Sequence, residues 1–100
     1  MTVSEALAAC ADLADGTASA EKIYTKGTIT KIGETGNYYK DVYISDGTNE
    51  LLIYTVNLSD GMDAINVGDT VTVYGFIKNY MGTSEYASNG GEYVYIVAIH

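Results

Sequence analysis

The stretch VGDTVTVYGFIKNYMGT, Val67 to Thr83, constrains the fold of this chain more than any other. Val71, Val73, Gly75 and Ile77 share one face of an extended segment, and Thr72, Tyr74, Phe76 and Lys78 share the other. That two-residue period belongs to a half-buried β-strand. Gly68-Asp69 before it and Gly82 after it supply turns. Gly75 interrupts the inward series without adding a side chain, which lets a strand bend sharply or pass close to another backbone. Small, curved barrels need such a point and a flat sheet does not.

The rest of the chain supplies partners for that strand. Thr2 and Glu5 have the spacing of a capping box, and Val3, Leu7, Cys10 and Ala14 repeat at helical spacing, with Ala6 and Leu13 widening the stripe. A helix is predicted from about Val3 to Asp15, stopped by Gly16. So narrow and alanine-rich a stripe suits packing on the chain's own sheet better than a partner or a membrane. Cys10 on it reads as a small buried hydrophobe, since no cationic or His/Cys neighbour is close in sequence. A polar linker, Thr17 to Glu21, leads to a first strand with Ile23, Thr25, Gly27 and Ile29 on one face. Gly33-Glu34-Thr35-Gly36-Asn37 is a loop, and a second strand runs from Tyr38 to Ser45 with Val42 and Ile44 inward and Tyr39, Asp41 and Tyr43 outward. Asp46-Gly47 signals a hairpin into a third strand, Glu50 to Val56. Both faces of that strand are apolar, so periodicity alone leaves its phase open. After Val67–Thr83, Thr83 to Ser88 begins a last strand, Asn89-Gly90-Gly91 interrupts it, and Glu92 to Ile99 continues it, either as one interrupted strand or as two forming a hairpin. Tyr93 and Tyr95 then share one face, and Val94 and Ile96 the other. The predicted core includes Ile29, Val42, Ile44, Ile53, Val71, Val73 and Ile77.

The pattern V-G-D-x-V-x-V-x-G-x-I-x-x-Y-x-G-T, together with YTKGTITKI and VYISDGTNELLIY upstream, resembles a bacterial OB-fold domain of the nucleic-acid-binding type. The resemblance runs from about Ile23 to Ile99. It is similar in particular to small OB-fold modules of secreted or lipid-anchored bacterial surface proteins, which often open on a short helix reading T-V-x-E-A-L, here Thr2 to Leu7. The resemblance implies a five- to six-stranded Greek-key barrel with one N-terminal helix, one domain over residues 1–100. Its S-D-G-T pattern puts Leu51 and Ile53 inward and leaves Leu52, Tyr54 and Val56 outward. OB-folds hold ligands on the outer face of the second and third strands, between the loops that join the first strand to the second and the fourth to the fifth. On this chain that face carries Tyr39, Tyr43 and Tyr54, with Tyr80 and Tyr86 near the bordering loops. Rows of aromatic rings stack on bases or on sugar rings. Tyrosines are equally good strand residues that pair across neighbouring strands for stability.

Charge bears on which ligand. Five basic against thirteen acidic residues give a net charge of -8, which opposes sequence-independent attraction to phosphate backbones. Lys22, Lys26 and Lys31 nevertheless fall in or beside the first strand and Lys40 on the second, so Lys26, Lys31 and Lys40 are candidate ligand contacts. The competing reading places these lysines on a solvated strand face, where they discourage edge pairing. Ten tyrosines, one Phe and no Trp give rings with polar tips that face water or a ligand at low entropic cost.

Catalysis is not indicated. The single His is His100, the single Cys is Cys10, and no G-x-S-x-G, P-loop or H-E-x-x-H pattern occurs. Asp60, Asp63 and Asp69 lack the alternating oxygen ligands and terminal Glu of a calcium loop. No cofactor or metal is expected. One Cys excludes an internal disulfide, and no apolar run approaches bilayer length, so a soluble chain is expected. A Met directly before the helix cap and an end at Ile99-His100, where the last strand finishes, suggest a domain cut from a longer protein. The expected function is a non-catalytic binding module that takes single-stranded nucleic acid weakly through an outward tyrosine face; alternatively it is a glycan- or protein-binding accessory domain of a secreted or surface protein.

Overall fold

The capping box at the start of the chain forms as its residues dictate in the computed structural model, which describes residues 1–33, 39–59, 64–80, 83–87 and 92–100. The Thr2 hydroxyl accepts from the Glu5 N–H at 3.1 Å, and the Glu5 carboxylate accepts from the Thr2 N–H at 2.8 Å, opening α1 (Val3–Ala11). The helix ends at Ala11, short of the expected Asp15. Bonds from outside it explain why. The Asn79 side-chain amide donates to the Leu13 carbonyl at 2.9 Å, the Gly16 N–H donates to the Asn79 carbonyl at 2.6 Å, and the Ser19 N–H donates to the Ile77 carbonyl at 2.8 Å. The predicted polar linker is therefore drawn alongside residues 77–79, which give its backbone groups partners that a continued helix would have supplied.

Among the described residues seven strands follow: β1 (Ile23–Ile32), β2 (Tyr39–Ser45), β3 (Glu50–Leu58), β4 (Thr70–Gly75), β5 (Ile77–Tyr80), β6 (Thr83–Tyr86) and β7 (Val94–Ile99). The protein is thus mainly β with one N-terminal helix. All seven strands lie in one sheet, ordered β2-β1-β4-β7-β3-β6-β5, with β2 also pairing with β3. β1 is antiparallel to β2 and β4, β2 to β3, and β4 to β7, while β3 and β7 run parallel. Within the set β1, β2, β3, β7 and β4, each strand therefore has two neighbours from the same set.

The predicted strand over 67–83 breaks after Gly75, leaving Phe76 between β4 and β5. A Cβ at Gly75 would stand 3.2 Å from Cα of Val94, so a side chain there would need the β7 backbone to give way by a few tenths of an ångström. The last predicted strand also divides, into β6 and β7, but these two do not form a hairpin with each other. Both run parallel to β3 along one edge, β6 beside Leu52 and Ile53 and β7 beside Val56 to Leu58. The hairpin partner of β6 is β5.

All seven predicted core residues are buried, and Leu51 and Ile53 point inward with Tyr54 outward, as the resemblance implied. Val56, expected outside, is fully buried in the core cluster. It pairs with Val94 where β7 replaces β6 beside β3, so its side of the strand is covered there. Val3, Ala6 and Cys10 of α1 complete the core, and burial pushes the Cys10 thiol above its ordinary pKa. The helix reaches the sheet over Gly27, where an added Cβ would lie 2.9 Å from Cγ2 of Val3 and 3.1 Å from Cβ of Ile44. Met1 runs beside β1, its carbonyl accepting from the Lys26 N–H at 3.0 Å and its ammonium donating to the Tyr24 carbonyl at 2.7 Å. The expected loop over Glu34–Asn37, the expected start of the second strand at Tyr38, the acidic segment Asp60–Asp63, the expected turn at Gly82 and the expected interruption at Asn89-Gly90-Gly91 lie outside the described residues.

Candidate ligand-binding groove

Strand alternation puts every second residue of β2, β3, β5 and β6 on the outer face, and pairing brings those residues side by side. On one wall Asp41 is opposite Tyr54 and Tyr43 is opposite Leu52. On the other Lys78 is opposite Glu85 and Tyr80 is opposite Thr83. Leu52 of β3 and Glu85 of β6 are parallel neighbours and join the walls. These residues, with Ala87 at one end, line a groove of about 480 Å³. A smaller hollow of about 150 Å³, lined by Lys31, Gly33, Asp41 and Tyr43, continues it past Tyr43.

The rings stand at the rim. Tyr54 and Tyr80 are 51% and 50% exposed, whereas Glu85 is only 7% exposed. The ammonium of Lys31 lies 5.6 Å from the Tyr43 ring centroid, and that of Lys78 lies 5.6 Å from the Tyr80 centroid, both within cation–π range. Burial raises the Glu85 carboxyl above its ordinary pKa; nearby Lys78 opposes the rise and Asp41 adds to it. The groove thus combines three aromatic rings with two carboxylates, an ammonium and the hydroxyl of Thr83, a set able to stack on flat rings and to bond hydroxyl groups from several sides.

Of the sequence candidates, Tyr43, Tyr54 and Tyr80 come together here, and Lys31 joins them through the adjoining hollow. Lys26 does not. It lies exposed on β1 beside Met1, in a separate shallow depression with Thr28, Ser45 and Asp46. Tyr39 and Lys40 belong to β2, and their side chains lie outside the described part of the structure. Tyr86 is a correction: it is fully buried, and its hydroxyl donates to the Ile23 carbonyl at 2.8 Å and accepts from the Thr25 hydroxyl at 2.6 Å. Burial holds that phenol well above its ordinary pKa. Its pairing with the inward Ile77 sets its direction, because residues opposite each other in a hairpin share a face.

Sequence reasoning missed Lys78, Glu85 and Thr83 as groove residues, although the signal was present. Once Ile77 is inward, Lys78 and Tyr80 point outward, and the antiparallel pairing of β5 with β6 sets Glu85 and Thr83 beside them. A second tyrosine surface lies on β1, β4 and β7. There Tyr24 is opposite Tyr74, and Tyr74 is opposite Tyr95. The Tyr24 and Tyr74 rings stack on each other at 4.2 Å, and Lys22 lies over Tyr74 and pairs with Glu92 at 2.8 Å. Those rings spend their faces on each other, which suits a stabilising ladder. Among the described residues no cluster of three or more His, Cys, Asp or Glu side chains is placed to hold a metal ion, and no helix is long and apolar enough to cross a membrane. The chain matches no protein-family model and no curated protein sequence.

Proposed function

We propose that the protein is a non-catalytic OB-fold module that binds a glycan chain in the groove between β2–β3 and β5–β6. The observation that carries this reading is the makeup of the groove: tyrosine rings at the rim over two carboxylates, one ammonium and a hydroxyl. Sugar rings offer apolar faces for stacking and edges crowded with hydroxyls, and carboxylates accept strongly from hydroxyls. The pairing of β1, β2, β3, β7 and β4, with β3 and β7 parallel, supports a Greek-key OB-fold barrel, whose ligands lie on this face. Such a module would serve a longer secreted or surface protein whose other parts carry the chemistry.

Single-stranded nucleic acid is the second reading, favoured by the lysine ammonium groups over Tyr43 and Tyr80. The net charge of -8 and the placement of Lys26 away from the groove weigh against it. Titration with short single-stranded DNA and RNA and with an oligosaccharide panel, at two salt concentrations, separates the two. Glycan binding that varies little with salt and falls at least tenfold in Tyr54→Ala, with the fold retained, is expected. Salt-sensitive binding to nucleic acid alone would replace the glycan reading.

A further inference from the structure

We propose that Glu85 restricts this groove to uncharged saccharides and excludes acidic ones such as uronates, an inference that rests on the glycan reading above. Depth in the groove singles it out. Tyr54 and Tyr80 are half exposed and Asp41 is exposed, while Glu85 is 7% exposed where the two walls join. A ligand seated on the rings covers Glu85 first and removes the water that screens it. Repulsion between two carboxylates is weak in water and grows steeply as the medium between them dries. Asp41, opposite Tyr54, adds to the repulsion but stays better hydrated.

Among the described side chains that line the groove, Lys78 is the one cation set against the two carboxylates Glu85 and Asp41. Lys78 and Tyr80 face it from β5, Tyr54 from β3, and Asp41 and Tyr43 from β2; the Cys10 thiol of α1 lies on the core side of β6, and Lys31 of β1 stands beyond Tyr43. Lys78, the cross-strand neighbour of Glu85, offsets part of its charge, and its ammonium lies 5.6 Å from the Tyr80 ring centroid. A neutral sugar meets Glu85 as an acceptor for its hydroxyls. A sugar carrying a carboxylate in place of the C6 hydroxymethyl meets a like charge in a drying cleft. Specificity would then come from the repulsive element as much as from the attractive ones.

The test uses matched pairs that differ only at C6: β-1,4-mannohexaose with the β-1,4-mannuronate hexamer, and α-1,4-galactohexaose with the α-1,4-galacturonate hexamer. Isothermal titration of the whole chain at neutral pH is expected to show the neutral member of a bound pair favoured by about tenfold or more. Glu85→Gln should remove most of that preference by raising uronate affinity, while Asp41→Asn leaves most of it in place. In the unaltered protein, and equally in Asp41→Asn, uronate affinity should rise as the pH falls through the raised pKa of Glu85, with the ligand still ionised. This pH series decides the matter if Glu85→Gln does not fold. Equal binding of both members by the unaltered protein, or a preference that survives in a folded Glu85→Gln, overturns the inference and leaves the glycan reading standing. No binding to any member overturns both.

Discussion

Tyr86 and Tyr54 are the same amino acid in adjacent strands, and their surroundings set them to opposite tasks. The Tyr86 ring fills the core because its hydroxyl finds the Ile23 carbonyl and the Thr25 hydroxyl there, while the Tyr54 ring stands half in water at the groove rim. Replacing Tyr86 by Phe keeps the ring and strands both partners, so stability should fall by about 1–3 kcal/mol in urea denaturation with no direct effect on the groove. An unchanged midpoint would mean that water reaches the Ile23 carbonyl. A tyrosine carries little sequence information about its own direction, since it suits a core with a polar partner as well as a wet surface. Tyr43, Tyr54 and Tyr80 were legible because resemblance or strand alternation placed them. Tyr86 was misread because its partners lie 63 and 61 residues away in the chain.

Local signals fixed where elements begin better than where they end. The box of Thr2 and Glu5 starts α1 within a few residues, but its end is decided by Asn79, which no local pattern near Ala11 announces. Likewise Gly75 marked a bend, and the strand does split there into β4 and β5, where the Val94 backbone comes within 3.2 Å of a would-be Cβ. The last strand divides between Tyr86 and Val94, and its pairing required knowing that β3 offers one edge to two successive neighbours. Gly27 shows the same dependence on distant contacts. With α1 seated above it, Gly27→Ala should push Val3 away and destabilise the fold by about 1–3 kcal/mol, read as a lower denaturation midpoint. If the substitution proves neutral, α1 packs on β1 less closely than its 2.9 Å clearance states.

Across the molecule, the helix and its flanks fasten separate parts of the sheet. The Ser4 hydroxyl donates to Asp46 and accepts from the Asn49 side chain at 3.0 Å, which joins α1 to the β2–β3 hairpin. Asp46 also accepts from the N–H groups of Thr48 and Asn49 at 2.9 and 2.8 Å. These bonds, led by that from Asn49, lower its pKa from the ordinary 3.8 to about 2. A carboxyl depressed in the folded state stabilises the fold above its unfolded pKa, and the contribution disappears as pH falls toward the folded value. Asp46→Asn should therefore flatten the loss of stability between pH 3.8 and about 2 in denaturation curves taken across that range. A slope like that of the unaltered protein would assign acid sensitivity to other carboxyls. The bonds of residues 16–19 to β5 also set an order of events. Ser19 and Ile77 are 58 residues apart, a long loop to close. Synthesis runs from N- to C-terminus, so α1 is complete long before the β5 residues that anchor it exist, and an element made earlier is locked in place later.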